Sequence, residues 1–244
     1  MEAVASMKVL VIDIGGNNVK MLASGRKQPV KFPSGPSLTP EKMVAEVKKL
    51  TANWQYDVIS IGVPGPLLFG QLILDPRNLG PGWVGFDFSA AFRAPVKLVN
   101  DAALQALGSY RGGKMLFLGL GTGLGTAVVI DGESESRELA HAAYKKGTLE
   151  DYVGARGMKR LGKNKWRKEV DSMVTEFVRK IHFDDVVLGG GQVKNLKKLP
   201  ERCREGSNAN AFIGGFRLWE EVSAEKKPGA KVRKLRSRKQ RKSA

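Results

Sequence analysis

The sequence predicts an α/β protein built from two similar halves. Three observations carry this. Short apolar runs alternate with stretches of helical periodicity. The order strand, glycine turn, strand opens at "VLVIDIGGNNVKMLA" (residues 9–23) and restarts at "KMLFLGLGTGLGTAVVIDG" (residues 114–132). A third apolar run, in "DDVVLGGGQVKNLKKLP", ends in three glycines.

Taken in order, residues 8–14 and 19–24 read as strands joined by the first glycine turn. Residues 29–40, rich in Pro, Gly and Ser, read as loop. Thr39-Pro40-Glu41 is a helix start, with a capping hydroxyl, Pro in the first turn and an early acid. Met43, Val47, Leu50 and Trp54 continue it at helical spacing. "DVISIGVPGP", "FGQLILDP" and "PVKLVND" read as three strands, and "AALQALGSY" as a helix directly after the last. After the restart near residue 112, "LEDYVGARGMKRL" and "WRKEVDSMVTEFVRKIH" read as helices. "DDVVLGGGQVKNLKKLP" reads as strand, turn and helix start. The expected division is 1–111, 112–224 and a tail of 225–244.

The 244 residues are 42% hydrophobic, enough for a sizeable core. No apolar run reaches transmembrane length, and "MEAVASMKVL" lacks the basic-then-apolar pattern of a secretory signal. The single cysteine, Cys203, excludes an intramolecular disulfide and points to a reducing cytoplasm. The net charge of +17 is uneven. The last twenty residues hold ten Lys or Arg and one Glu, leaving +8 for residues 1–224. With almost no apolar content, that tail reads as a disordered basic arm. It is either solubilising or an attractor of a polyanion.

Glycine turns let a ligand approach the backbone, and their N–H groups cradle phosphate oxygens. Here three follow apolar strands: Gly15-Gly16, Gly121-Thr122-Gly123 with Gly125-Thr126, and Gly189-Gly190-Gly191. None fits the Walker A pattern. Asp13, at the first turn, reads either as a turn cap or as a magnesium-side ligand acting through water, since a bare carboxylate repels phosphate. Asp101 ends a strand and precedes a helix, the edge where α/β folds bind ligands. It reads either as a helix cap or as the base that accepts a substrate hydroxyl's proton during phosphoryl transfer.

Beyond these readings, "DIGGNNVK", "GVPGP", "PRNLGPGW", "ND" at 100–101, "GLGTGLGTAVVIDG", "ELAH", "GTLEDYVG" and "VVLGGG" occur in the order found in ROK (repressor, open reading frame, kinase) sugar kinases. Over about residues 8–200 the chain resembles that family, and most of all its short polyphosphate glucokinase branch. The resemblance implies an actin-like, ribonuclease-H-like fold of two α/β domains with a cleft between them. It implies Asp101 as general base and Asn78, Asn100, Glu138, His141 and Glu150 as sugar ligands. It also implies Asp13, Gly15, Gly16, Asn17, Asn18, Lys20 and the second and third glycine turns as the phosphate and nucleotide site. ATP or inorganic polyphosphate would be the donor, with Mg²⁺, and homodimers are common. Three departures stand out. Asn17 replaces the usual Thr or Ser, Ala140 replaces a Gly, and "AAYKKG" stands where many relatives carry a zinc-binding cysteine cluster, so no zinc is expected. The expected activity is transfer of a phosphoryl group to the 6-hydroxyl of glucose, in the cytoplasm. The alternative is a catalytically impaired sugar- or phosphate-binding protein that meets nucleic acid through its basic tail.

Overall fold

The computed structural model describes residues 7–136, 139–207 and 209–220. The expected basic tail, 225–244, lies outside them.

The first sheet comprises β1 (Val9–Ile14), β2 (Asn18–Ala23), β3 (Val30–Pro33), β4 (Val58–Val63) and β7 (Val96–Asn100), in the order β3-β2-β1-β4-β7. Between β4 and β7 lie the two-residue strands β5 (Leu67–Leu68) and β6 (Gln71–Leu72), which pair as a small hairpin. The second sheet comprises β8 (Lys114–Leu120), β9 (Leu124–Ile130), β10 (Glu133–Ser136), β13 (Asp185–Gly189) and β14 (Cys203–Glu205), in the order β10-β9-β8-β13-β14. A second short hairpin, β11 (Ala143–Tyr144) with β12 (Gly147–Thr148), sits between β10 and β13. In both sheets the first two pairings are antiparallel and the last two parallel. The two sheets therefore share one topology, traced twice along the chain.

The helices are α1 (Pro40–Leu50), α2 (Phe88–Phe92), α3 (Asp101–Ser109), α4 (Leu149–Val153), α5 (Ala155–Leu161), α6 (Lys163–Ile181) and α7 (Asn210–Arg217). Thr39 caps α1, and its hydroxyl accepts the Lys42 N–H at 3.4 Å. Met43, Val44 and Val47 bury one face of α1 against the first sheet. Trp83 and Phe88 close the same core. Trp166, Val170, Met173 and Val174 bury α6 against the second.

Between the sheets lies α3. Ala102, Ala103, Ala106 and Leu107 pack on Met115, Phe117, Ala127 and Val129 of the second sheet. Leu104 packs with Val9, Val11 and Val58 of the first. The last helix, α7, returns to the first sheet. Ser60, fully buried in β4, donates to the Gly215 carbonyl at 2.6 Å and accepts from Trp219 Nε1 at 2.9 Å. The backbones of α3 and α7 touch, because a Cβ on Gly108 would collide with the Asn210 carbonyl and one on Gly214 with the Leu104 carbonyl.

Several expectations need correction. Residues 29–40 contain β3, an edge strand ending at Pro33, where the missing N–H faces no partner strand. Of "FGQLILDP", only Gln71–Leu72 is extended, because Phe69, Ile73 and Leu74 face solvent. Trp54 lies beyond α1, under the Arg26 guanidinium at 4.3 Å. Residues 149–161 form two helices divided at Gly154. After the third glycine turn the chain makes a single 3-10 turn, Val193–Asn195, rather than a helix.

Candidate active site

The first glycine turn joins β1 to β2. The Gly15 N–H donates to the Asn18 carbonyl at 3.0 Å. Ser34, from the end of β3, braces the turn twice: its hydroxyl donates to the Gly15 carbonyl at 2.6 Å and its N–H to the Asn17 carbonyl at 3.1 Å. Gly16 and Asn17 at the tip are exposed. Below the tip, Asp13 is opposite Lys20 in the β1–β2 register, with Nζ 3.6 Å from its carboxylate. Asp13 is only 5% exposed. Burial pushes its carboxyl above the usual carboxylate range, and the Lys20 charge and hydrogen bond pull it back in part.

The second turn joins β8 to β9, with the Gly121 N–H donating to the Gly123 carbonyl at 3.1 Å. The Thr122 carbonyl accepts the Ala155 N–H at 3.2 Å, which ties the turn to the start of α5. Across the cleft the two turns meet, since a Cβ on Gly16 would lie 3.9 Å from Thr122 Oγ1.

The glycines of these turns differ in what fixes them. None of Gly15, Gly16, Gly121, Gly123 and Gly125 has positive φ, so backbone freedom is not the reason. Gly123 leaves room for the Glu150 carboxylate, and Gly125 lies 3.0 Å, at its Cβ position, from Ala102 Cβ. Gly189 makes room for the Phe117 ring at 2.6 Å, while Gly190, at φ 85°, lies against the Leu120 carbonyl. Gly16, Gly121 and Gly191 meet nothing closer than an ordinary van der Waals contact. There, glycine leaves open space on the cleft side of the chain.

Asp101 begins α3. The sheet register sets Asp13, Gly62 and Val99 in one row, with Val63 and Asn100 one step further. Asp13 is thus two strands, roughly 10 Å, from the end of β7. The Asn100 amide oxygen caps α3 by accepting the Ala102 N–H at 2.9 Å, and its amide N–H donates to the Gly65 carbonyl at 3.0 Å. One amide N–H of Asn100 remains for a ligand. Asp101 Oδ1 accepts the Ala102 N–H at 2.8 Å. Ala102, the next residue, abuts Gly125 of β9, and the Asp101 backbone lies against Gly62, the β4 partner of Asp13.

The remaining expected sugar ligands are less uniform. Asn78 is exposed in the turn after Pro76. That loop is organised by Asp75, which the sequence reading missed. Its carboxylate accepts the N–H groups of Gly82, Trp83 and Val84 at 2.8–3.0 Å. Those bonds, Gly82 first, hold its carboxyl below the usual range. His141, exposed, ends the 3-10 turn Leu139–His141. The buried Thr126 hydroxyl accepts the Leu139 N–H at 3.3 Å, so Thr126 supports that turn from beneath. The Leu149 N–H donates to the Ala142 carbonyl at 3.0 Å and brings Glu150 beside the same turn. Glu150 pairs with Arg156 at 3.0 Å. Glu138 lies outside the described residues.

At the third turn a cavity of about 420 Å³ is lined by Gly190, Gly191, Lys194, Glu205, Gly206 and Ser207. No three His, Cys, Asp or Glu gather as a metal site among the described residues. One buried carboxylate, Asp13, fits a Mg²⁺ that is carried mainly by phosphates and water.

Two sheets of one topology, with glycine turns facing each other across a cleft, make the actin-like, ribonuclease-H-like ATPase fold. The ROK family profile matches residues 9–136, and the chain belongs to the ROK family. It is 31% identical over 143 residues to the bifunctional enzyme NanE/NanK of Brucella melitensis, covering 52% of this chain and 27% of that one. It is 30% identical over 167 residues to the N-acetylmannosamine kinase of Salmonella typhimurium, covering 61% of this chain and 56% of that one. The chain thus spans from about a quarter to just over half the length of these curated relatives. Among solved structures, the inorganic polyphosphate/ATP-glucomannokinase of Arthrobacter sp. strain KM superposes with a TM-score of 0.73 at 20% identity, covering 86% of this chain and 96% of that one.

Proposed function

We propose that the chain is a hexose kinase that transfers a phosphoryl group from ATP or inorganic polyphosphate to the 6-hydroxyl of glucose. The observation that carries this reading is the contact of two open glycine turns, Gly16 against Thr122, with Asp101 nearby at the start of α3, between Gly62 in the row of Asp13 and the Ala102 that abuts Gly125. Asp101 accepts the proton of the attacking hydroxyl. Backbone N–H groups of both turns, with the Asn17 amide and the Thr122 hydroxyl, hold the transferring phosphates. Asp13 would hold a Mg²⁺, which would supply charge neutralisation at the transferring phosphates. Asn78, the free amide N–H of Asn100, Glu138, His141 and Glu150 hold the sugar. Lys20, paired to Asp13, fixes that carboxylate's direction. The adenosine of ATP would occupy the cavity beside Gly191.

The reading treats 1–111 and 112–224 as two lobes, with α7 crossing back onto the first and 225–244 as a polyanion-attracting arm. A cytoplasmic homodimer belongs to the same reading. The reducing compartment suits Cys203, whose thiol is pushed up to about 12 by burial and by Asp185 and Asp171. Among the described residues no helix is long and apolar enough to cross a membrane.

N-acetylmannosamine is a second acceptor, favoured by the relatives' activities. Sugar phosphate formation from glucose and N-acetylmannosamine, with ATP and polyphosphate in parallel, tests the reading. Turnover with either sugar supports a hexose kinase, and the ratio of kcat/KM values assigns the acceptor. Sugar binding without turnover on either donor would contradict it.

A further inference from the structure

Charge in the second half of the chain is segregated. Residues 156–168 and 194–204 hold 12 Lys or Arg and one acid, Glu201. The other residues of 112–224 hold 7 Lys or Arg and 14 acids. The two cationic stretches are neighbours in space. Arg167 Nε donates to the Asn195 carbonyl at 2.7 Å, and Val193 and Leu196 share a core with Trp166 and Val170. Lys194 also lines the donor cavity, together with the acid Glu205. Lys163, Lys197 and Lys198 are exposed and form no ion pair with another described residue. The start of α6 has no side-chain cap and no acid in its first turn. Cations at that end oppose the helix dipole, so they are not placed for helix stability.

We propose that this face, with Lys163, Arg167, Lys194, Lys197 and Lys198 at its centre, binds the extended part of a linear polyphosphate chain whose end lies in the donor cavity. The direction of the chain, end toward the cleft, rests on the phosphotransferase reading. Three features select the ligand. A nucleoside triphosphate reaches only the cavity and Lys194, leaving the outer cations unanswered. The one aromatic residue of the two stretches, Trp166, is fully buried, so neither stretch offers a nucleic acid base an exposed ring of its own to stack on. The chain's own tail is cationic and is repelled.

The test is binding of long-chain polyphosphate, tripolyphosphate, ATP and single-stranded DNA to the full chain across a salt series. The variant is Lys163→Gln/Lys197→Gln/Lys198→Gln. The control removes equal charge from α1, as Lys42→Gln/Lys48→Gln/Lys49→Gln. The triple variant is expected to bind long polyphosphate at least tenfold more weakly, while its affinities for tripolyphosphate and ATP change less than twofold. Its slope of log K against log salt should fall by about 2, at about 0.7 per phosphate contact. An equal loss in the α1 control, no loss in the variant, or a larger loss for DNA than for polyphosphate would overturn the proposal. If no sugar is phosphorylated by the unaltered protein but the binding difference stands, the kinase reading fails and the face keeps its ligand.

Discussion

The two facing glycine turns share a topology but not a support. The first is held from its own sheet: Ser34, at the end of β3, grips the Gly15 and Asn17 carbonyls, and the acid beneath it is part of β1. The second is held from outside its sheet, by the Glu150 carboxylate against Gly123 and by the Ala155 N–H on the Thr122 carbonyl. Its support depends on α4, which is fixed by the reciprocal capping of Thr148 and Asp151. The acids follow the same division. Burial raises Asp13, whereas the Thr148 hydroxyl, followed by its backbone N–H, lowers Asp151. One turn sits over a buried acid that burial raises, and the other is held by well-satisfied charges.

Between the two turns, the larger expected effect is at the second. Gly123→Ala forces the Glu150 carboxylate away. It should cost about 2 kcal/mol of stability and about 10²-fold in kcat/KM. Melting curves and steady-state kinetics check this, and adding Glu150→Asp, a shorter acid, should recover part of the stability.

At the first turn, Gly16→Ala adds a methyl group to open space at an ordinary φ. Stability should hold or rise by up to about 1 kcal/mol. Donor KM should still rise about tenfold, equivalent to about 1.4 kcal/mol. A parallel loss of stability would show that the glycine serves the fold and not the donor.

The smallest effects separate the two acids by pH. A raised carboxyl stabilises the fold fully only below its unfolded value, and that contribution is lost as pH rises through the raised folded value. Asp13→Asn should therefore melt higher than the unaltered chain at neutral pH, with the difference shrinking in acid. Asp151 is lowered, so its contribution is present above the unfolded value and lost as pH falls through the folded one. Asp151→Asn should melt lower at neutral pH, and that difference too should vanish in acid.

Much of this arrangement was legible in the sequence. The strand–glycine–strand restart marked the doubled sheet order because β1 and β8 are mostly apolar and each runs into a glycine, Gly15 and Gly121. The edge strand β7 was legible, but β3 and β10 were not: β3 sits in Pro-rich sequence, and β10 ("ESES") has no apolar face. Nor was α7, whose paired Gly214 and Gly215 are poor helix formers, yet they are what lets its backbone approach α3 and Val11. Apolar residues misled at 69–76, where Phe69, Ile73 and Leu74 lie exposed and only Leu72 joins the core. At the site, Asp101 and the turns stood out by position. Ser34 and Asp75 act through backbone groups that are distant in sequence, so neither spacing nor composition marks them.

The most direct test of the account is Asp101→Asn, assayed for sugar phosphate formation alongside sugar binding and thermal melting. The account expects kcat to fall by about 10²–10⁴-fold, with sugar affinity and melting little changed. A variant that turns over within tenfold of the unaltered chain would show that Asp101 is a helix cap and that the proton goes elsewhere.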